Sequence, residues 1–94
     1  MKGERPTRTQ LRNAFARAVR ALRLHGGISQ EGLALAAGVD RSYMGEIERG
    51  LRSPSIETIF RLLPALGVTF TRFAQEVEKQ LRRAGNGRLK RNGP

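Results

Sequence analysis

The stretch GISQEGLALAAGVDRSYMGEIERG, from Gly27 to Gly50, holds two short helix-forming segments on either side of AGVD. Ser29 is placed to cap the first segment and Asp40 the second, because a side-chain oxygen at a helix start accepts a free backbone N–H. Gly38 can adopt the positive φ that ends a helix. The stretch therefore predicts two short helices joined by a tight turn.

Small and apolar residues recur here at the positions that a helix-turn-helix requires. Ala34, the fifth residue counted from Gln30, must be small because the helices cross there, and Gly38, the ninth, must turn the chain. The other positions close a small core: Leu33, Ala37, Val39, Met44 and Ile47. The alternative is a plain αα-hairpin within a bundle. The full pattern instead predicts a second helix that is held away from the body and laid in a DNA major groove.

The flanking residues add three amphipathic helices. Thr9 is expected to cap a first helix, with apolar residues at helical spacing at Leu11, Phe15, Ala18, Val19 and Leu22. Ser55 is expected to cap a fourth helix whose buried face is Ile56, Ile59, Phe60, Leu63 and Leu66. Thr69 is expected to cap a fifth helix that carries Phe70, Phe73, Ala74, Val77 and Leu81. No stretch alternates as a strand does, so the predicted fold class is all-α, with five helices in one compact unit.

The length of 94 residues suits one domain. We expect residues 1–8 to form a flexible basic N-terminal arm and residues 9–84 to form the helix-turn-helix domain. Residues 85–94 are Gly-rich and basic, and we expect them to be a disordered tail.

Charge and composition narrow the classes of function. The 18 Lys and Arg against 8 Asp and Glu give a net charge of +10, which indicates a polyanionic partner: DNA, RNA or an anionic membrane surface. The chain has no Cys, which excludes a disulfide, a thiol nucleophile and a zinc–thiolate site. No secretory signal or membrane-length apolar run is present, so we expect a cytoplasmic protein.

Three residues of the third helix are candidates for reading bases. Arg41 lies at the leading end of that helix, where a guanidinium can donate two hydrogen bonds to guanine O6 and N7. Ser42 follows it and can donate or accept. Glu46 lies one turn further, where it either accepts from cytosine N4 or forms an ion pair with Arg49 or Arg41.

Other residues are candidates for the DNA backbone. Gln30 begins the second helix, and helix N-termini attract phosphate. The Tyr43 ring can pack under Pro54 while its hydroxyl reaches a phosphate. The loop after the third helix adds four more candidates for phosphate contact, each of which is otherwise a solvated side chain: Arg49, Arg52, Ser53 and Ser55.

The segments SQ, GVDRSY, IERG and PSIET, between Ser29 and Thr58, resemble the phage Cro and lambda-repressor family, also called XRE. The resemblance runs from about Leu11 to Phe73 and implies a five-helix lambda-repressor-like fold. It implies a bacterial or phage regulator of transcription that binds a palindromic operator as a dimer. It also implies that Gln30 clamps the DNA backbone and that Arg23 pairs with Glu48. The short layout is similar to the controller proteins of restriction-modification systems.

A single helix in the groove contacts too few base pairs to select a site, so we expect a homodimer. The fifth helix extends its apolar stripe beyond the expected domain body, and the predicted interface includes Leu66, Phe70, Val77 or Leu81. We expect no enzymatic activity, no cofactor, no metal and no membrane partner. The alternative function is an antitoxin or other interaction subunit that uses the same domain, with Leu35 or the end of the fifth helix as its apolar surface. Membrane-surface binding is a third interpretation.

Overall fold

The computed structural model describes residues 5–92. They form five α-helices in the order α1 (Arg8–His25), α2 (Gln30–Ala37), α3 (Arg41–Glu48), α4 (Ile56–Leu66) and α5 (Phe70–Asn92). The all-α fold class is confirmed. Across these residues, no helix combines the length and the apolar character that crossing a membrane requires.

Helix α1 starts two residues earlier than the sequence analysis predicted. Thr7, not Thr9, is the N-cap: its hydroxyl accepts the Gln10 N–H at 3.1 Å, and its own N–H donates to the Gln10 side chain at 2.8 Å. This reciprocal pair is a capping box, which satisfies two backbone groups at once and therefore outcompetes a simple cap. The helix begins at Arg8, inside the arm predicted for residues 1–8, and residues 1–4 lie outside the described residues.

The turn between α2 and α3 has the predicted construction. The Ser29 hydroxyl caps α2 by accepting the Gly32 N–H at 2.9 Å, and Asp40 caps α3 by accepting the Ser42 and Tyr43 N–H groups. Gly38 ends α2 at φ 67° and ψ 34°, a left-handed conformation that a residue with a Cβ adopts only at a cost. These local features set the direction in which α3 leaves the turn.

One apolar core holds the helix-turn-helix to the other helices. Leu33, Met44 and Ile47 are fully buried, and Ala34 and Ala37 are buried where α2 packs against its neighbours. Fully buried side chains of the other helices complete this core: Val19, Leu62 and Phe73. Because α3 is held by one face, its opposite face remains on the surface.

The buried face of α4 differs from the prediction. Leu62 is fully buried, whereas Ile56 and Phe60 are exposed. The sequence carries two overlapping apolar stripes on this helix, both of which use Ile59 and Leu63, and periodicity alone does not select between them. Packing of α4 against α2 and α5 selects the stripe with Leu62.

Helix α5 also departs from the expectation. Val77 is buried in the protomer's own core and Leu81 packs against that core. The prediction that the apolar stripe extends beyond the domain body is therefore wrong. The backbone of α5 continues to Asn92, past residue 84, where the predicted domain ended and the predicted disordered tail began. Its Arg, Leu and Lys residues are good helix formers, and a Gly within a helix costs only about 1 kcal/mol. Residues 93–94 lie outside the described residues.

Helix α5 also buries a carboxylate, Glu76. Burial alone would raise the pKa of Glu76, but hydrogen bonds from Gln80 and Arg72, together with the charges of Lys79 and Arg72, hold this pKa below its ordinary value. The Glu76 carboxylate is therefore satisfied within its own helix.

The helix crossing can be tested at Ala34. We expect Ala34→Leu to lower the free energy of unfolding by about 1–3 kcal/mol, because the added atoms overpack the core. Ala36→Leu adds the same atoms to an exposed position of the same helix. We expect it to change stability by less than about 0.5 kcal/mol. Urea unfolding of both variants measures the difference, and equal stability of the two would contradict the crossing.

Candidate functional site

The exposed face of α3 and the start of α2 form a shallow concave surface, hereafter the α3 face. Its lining residues are Gln30, Arg41, Ser42, Gly45, Glu46 and Arg49. Burial of Met44 and Ile47 turns the three predicted base-reading residues of α3 outward together. The structure thus brings them together with Gln30 and Arg49, two of the predicted backbone contacts.

Arg41 is paired across the turn with a residue that the sequence analysis did not select. Its guanidinium forms an ion pair with the Glu31 carboxylate in the first turn of α2, and the two side chains are 73% and 62% exposed. This pair joins the start of α2 to the start of α3. An exposed pair of this kind contributes about 0–1 kcal/mol to stability. Its main structural effect is that it restricts the orientation of the Arg41 side chain.

Glu46 forms an ion pair, but with neither of the predicted partners. Arg52 Nε lies 3.0 Å from Glu46 Oε1, whereas the sequence analysis considered Arg49 and Arg41. The loop after α3 brings Arg52 back over α3, and its guanidinium lies 5.6 Å from the centre of the half-buried Tyr43 ring. Arg52 is thereby held beside the α3 face.

Gly45 is buried under two polar side chains. A Cβ at this position would come within 3.1 Å of Arg49 Nη1 and 3.7 Å of Gln30 Oε1. The absence of a side chain at Gly45 therefore leaves the space that Arg49 and Gln30 approach.

A buried ion pair supports the α3 face from below. Arg23 Nε lies 2.6 Å from Glu48 Oε2 and Nη2 lies 2.9 Å from Oε1, and the two side chains are 10% and 3% exposed. The hydrogen bonds that Arg23 donates to Glu48 raise the pKa of Arg23, against the lowering effect of burial. This is the contact that the family resemblance implied.

The ion pair extends to Gln30. Gln30 Nε2 donates to Glu48 Oε1 at 3.2 Å, and Arg23 Nη1 donates to the Ile28 carbonyl at 3.0 Å. One carboxylate therefore joins the end of α1, the start of α2 and the end of α3. The Gln30 side chain is fixed in orientation before any ligand arrives.

The two serines of the loop before α4 differ. The Ser55 hydroxyl accepts the Thr58 N–H at 3.1 Å and donates to Thr58 Oγ1 at 3.0 Å, so it serves as the cap of α4. Ser53 is exposed. A phosphate near Ser55 would meet the free N–H groups of the α4 terminus and not the hydroxyl.

A second surface is apolar. Ile56, Phe60 and Phe70 are exposed, and the rings of Phe60 and Phe70 stack with centroids 5.2 Å apart. We call these three residues the aromatic patch. Of the four residues predicted for a dimer interface, Phe70 belongs to this patch, whereas Leu66 and Val77 are buried and Leu81 packs on the core. Exposed apolar side chains that lie together are typical of a surface that contacts another molecule.

Three residues of these surfaces were not predicted from the sequence to take part in them: Glu31, Ile56 and Phe60. Glu31 looked like an ordinary acidic residue in the first turn of a helix, where it complements the helix dipole. Ile56 and Phe60 were assigned to the core by periodicity. The signal for the two apolar residues was the excess of apolar positions on α4, since a helix packed by one face needs only one stripe.

Comparison with known proteins finds one matching protein family and several similar proteins. A family model described as Helix-turn-helix matches residues 19–73. The chain is similar to the control protein C.BamHI of Bacillus amyloliquefaciens, with 41% identity over 59 residues, which cover 62% of this chain and 73% of that protein.

Two solved structures are similar in fold. The clp gene regulator ClgR from Corynebacterium glutamicum gives a TM-score of 0.79 at 29% identity, covering 94% of this chain and 92% of that one. The restriction-modification controller protein C.Esp1396I, solved as a tetramer in complex with its natural 35 base-pair operator, gives a TM-score of 0.70 at 28% identity. That match covers 76% of this chain and 93% of the controller protein.

The buried ion pair can be tested by removing one partner. We expect Glu48→Ala to lower the free energy of unfolding by about 3 kcal/mol, because it leaves the Arg23 charge buried without a partner. Glu31→Ala removes a carboxylate from the exposed pair and serves as the matched control, with an expected loss below about 1 kcal/mol. Chemical unfolding of both variants measures the losses. A small loss for Glu48→Ala would show that the pair does not hold the three helices together.

Proposed function

We propose that this chain, which belongs to the helix-turn-helix family because that family's model matches its residues 19–73, is a sequence-specific DNA-binding regulator of transcription. In this proposal α3 lies in the major groove of double-stranded DNA. The observation that carries it is the α3 face, which combines outward base-reading candidates on α3 with a fixed Gln30 at the start of α2. A helix presented in this way fits the width of the major groove.

The base contacts are assigned by chemistry. Arg41 can donate to O6 and N7 of a guanine, and Glu46 can accept from the N4 amine of a cytosine. Ser42 lies between them on the exposed surface and can donate or accept. Glu46 keeps this role only if Arg52 releases one of its oxygens, since the two side chains are paired in the free protein.

The backbone contacts flank the base contacts. Gln30 is held by Glu48 at the N-terminus of α2, where free N–H groups and the helix dipole favour a phosphate. Arg49, Arg52 and Ser53 are exposed around the following loop, and Tyr43 lies half-buried under Arg52. Such contacts set the position of α3 on the duplex but carry no base preference of their own. The net charge of +10 adds attraction to any DNA.

The proposal includes a homodimer formed through the aromatic patch. Burying Phe60 and Phe70 of two copies against each other would remove exposed aromatic surface that the protomer leaves uncovered. Of the four residues predicted for the interface, Phe70 would lie in it, whereas Leu66, Val77 and Leu81 would stay in or against the protomer's own core. Two recognition helices related by a twofold axis would then read a palindromic operator, with half-sites about ten base pairs apart or a multiple of that spacing.

The proposed role is regulatory and cytoplasmic, without catalysis or a cofactor. The alternative, an antitoxin or similar interaction subunit, needs an apolar surface for a different protein. On α2, Leu35 is 85% exposed, but it is not one of the residues of the aromatic patch. A single exposed leucine is ordinary on a protein surface, so the regulator is the better-supported function.

Arg41 and Gln30 test the two kinds of contact. The DNA site is first selected from a random pool with the wild-type protein. On that site, we expect Arg41→Ala to lose roughly 1–3 kcal/mol of preference at one base pair per half-site. We expect Gln30→Ala to weaken binding to all variants of that site similarly, because it positions the helix. Titration of labelled duplexes with each base pair changed measures both effects.

Two outcomes would contradict these roles. If Arg41→Ala weakened binding to all sequences equally, Arg41 would contact phosphate alone. If Gln30→Ala changed the preferred base but not the affinity, Gln30 would not be a backbone contact.

Sedimentation tests the dimer. We expect the unmodified chain to be a dimer at micromolar concentration and the double variant Phe60→Glu, Phe70→Glu to be a monomer, since two carboxylates would face each other across the interface. Leu35→Glu is the control, because it places the same charge on an exposed leucine outside the aromatic patch. Far-UV circular dichroism checks that all variants fold. An unmodified chain that is monomeric, yet binds one half-site tightly, would contradict the proposal.

A further inference from the structure

We infer that Glu31 is a positioning residue that makes the α3 face selective, because Arg41 can keep its ion pair with Glu31 while it binds its correct base but loses the pair when it turns to a phosphate. This inference rests on the proposed function. It concerns a residue outside the predicted DNA contacts, and it follows from the ion pair between Glu31 and Arg41.

Glu31 is the carboxylate available to Arg41 at this point of the fold. Asp40 precedes Arg41, but its Oδ2 already accepts the Ser42 and Tyr43 N–H groups, and the first turn of α3 has no acidic residue. Glu31 reaches Arg41 because the turn at Gly38 brings the two helix starts together. The pair thus depends on the helix-turn-helix geometry itself.

The guanidinium has enough donors for two partners at once. Arg carries five N–H groups, of which two suffice for guanine O6 and N7, so others remain for Glu31. On the correct sequence, Arg41 can keep its ion pair and also bind the base. Arg41 then has less conformational freedom to lose on binding, because Glu31 already restricts it.

On a wrong sequence the same pair becomes a penalty. Without a guanine, Arg41 loses its two-bond base contact and is drawn toward a phosphate, and a rotation toward phosphate separates Arg41 from Glu31. The carboxylate is then left unpaired beside a polyanion, next to Gln30, the proposed phosphate contact. Glu31 therefore weakens binding to wrong sequences while leaving the correct one nearly unaffected.

The test measures a ratio of dissociation constants. One duplex carries the selected site and a second carries it with the base pair opposite Arg41 changed. The ratio is the dissociation constant for the altered duplex divided by that for the selected duplex. We expect Glu31→Gln to reduce this ratio about two- to fivefold, the range for an exposed ion pair. Most of the change should come from tighter binding to the altered duplex. The melting temperature should change little, because the ion pair of Glu31 is exposed.

Two controls separate this effect from general electrostatics. Glu78→Gln removes the same charge from an exposed position on α5 and should leave the ratio unchanged. In an Arg41→Ala background, Glu31→Gln should also leave the ratio unchanged, because Glu31 acts through Arg41. Equal tightening on both duplexes, or an unchanged effect without Arg41, would overturn the inference. A wild-type chain that binds both duplexes equally would contradict the proposed function itself and this inference with it.

Discussion

The structure depends on one carboxylate, Glu48, which joins three helices under the α3 face. It accepts two hydrogen bonds from Arg23 at the end of α1 and one from Gln30 at the start of α2. A buried carboxylate with fewer partners would be costly, since its hydration is lost on folding. Arg23 and Gln30 lie on the other two helices. A shift of any of the three helices would therefore break a hydrogen bond to this buried carboxylate.

This constraint explains how a small domain can present a rigid polar surface. A chain of 94 residues buries a modest core, and α2 and α3 have eight residues each, too few to be stable as isolated helices. Their orientation comes from the core beneath them, from the caps at Ser29 and Asp40, and from the Glu48 network. The exposed side chains above are then held by the pairs of Arg41 with Glu31 and of Arg52 with Glu46. The α3 face is thus organised before a ligand binds.

The sequence allowed the fold to be predicted wherever local chemistry and spacing agreed. Ser29, Gly38 and Asp40 each satisfy a local backbone requirement, so the turn and both short helices followed from them. The α1 start was wrong because Thr7 and Thr9 both fit a cap, and the capping box with Gln10 decided between them. Phe60 was placed inside because periodicity cannot distinguish two overlapping stripes. The Glu31–Arg41 pair could not be predicted, since it depends on where two long side chains meet across a turn.

The proposed position of α3 in the major groove, with Arg41 on a guanine, can be tested by protection from dimethyl sulfate. This reagent methylates guanine N7, an atom on the major-groove edge. On the selected duplex, we expect the wild-type protein to protect one guanine N7 per half-site, and we expect Arg41→Ala to restore methylation there while the protein remains bound. Full methylation of every guanine under a saturating amount of bound wild-type protein would show that Arg41 does not lie on a guanine in the major groove.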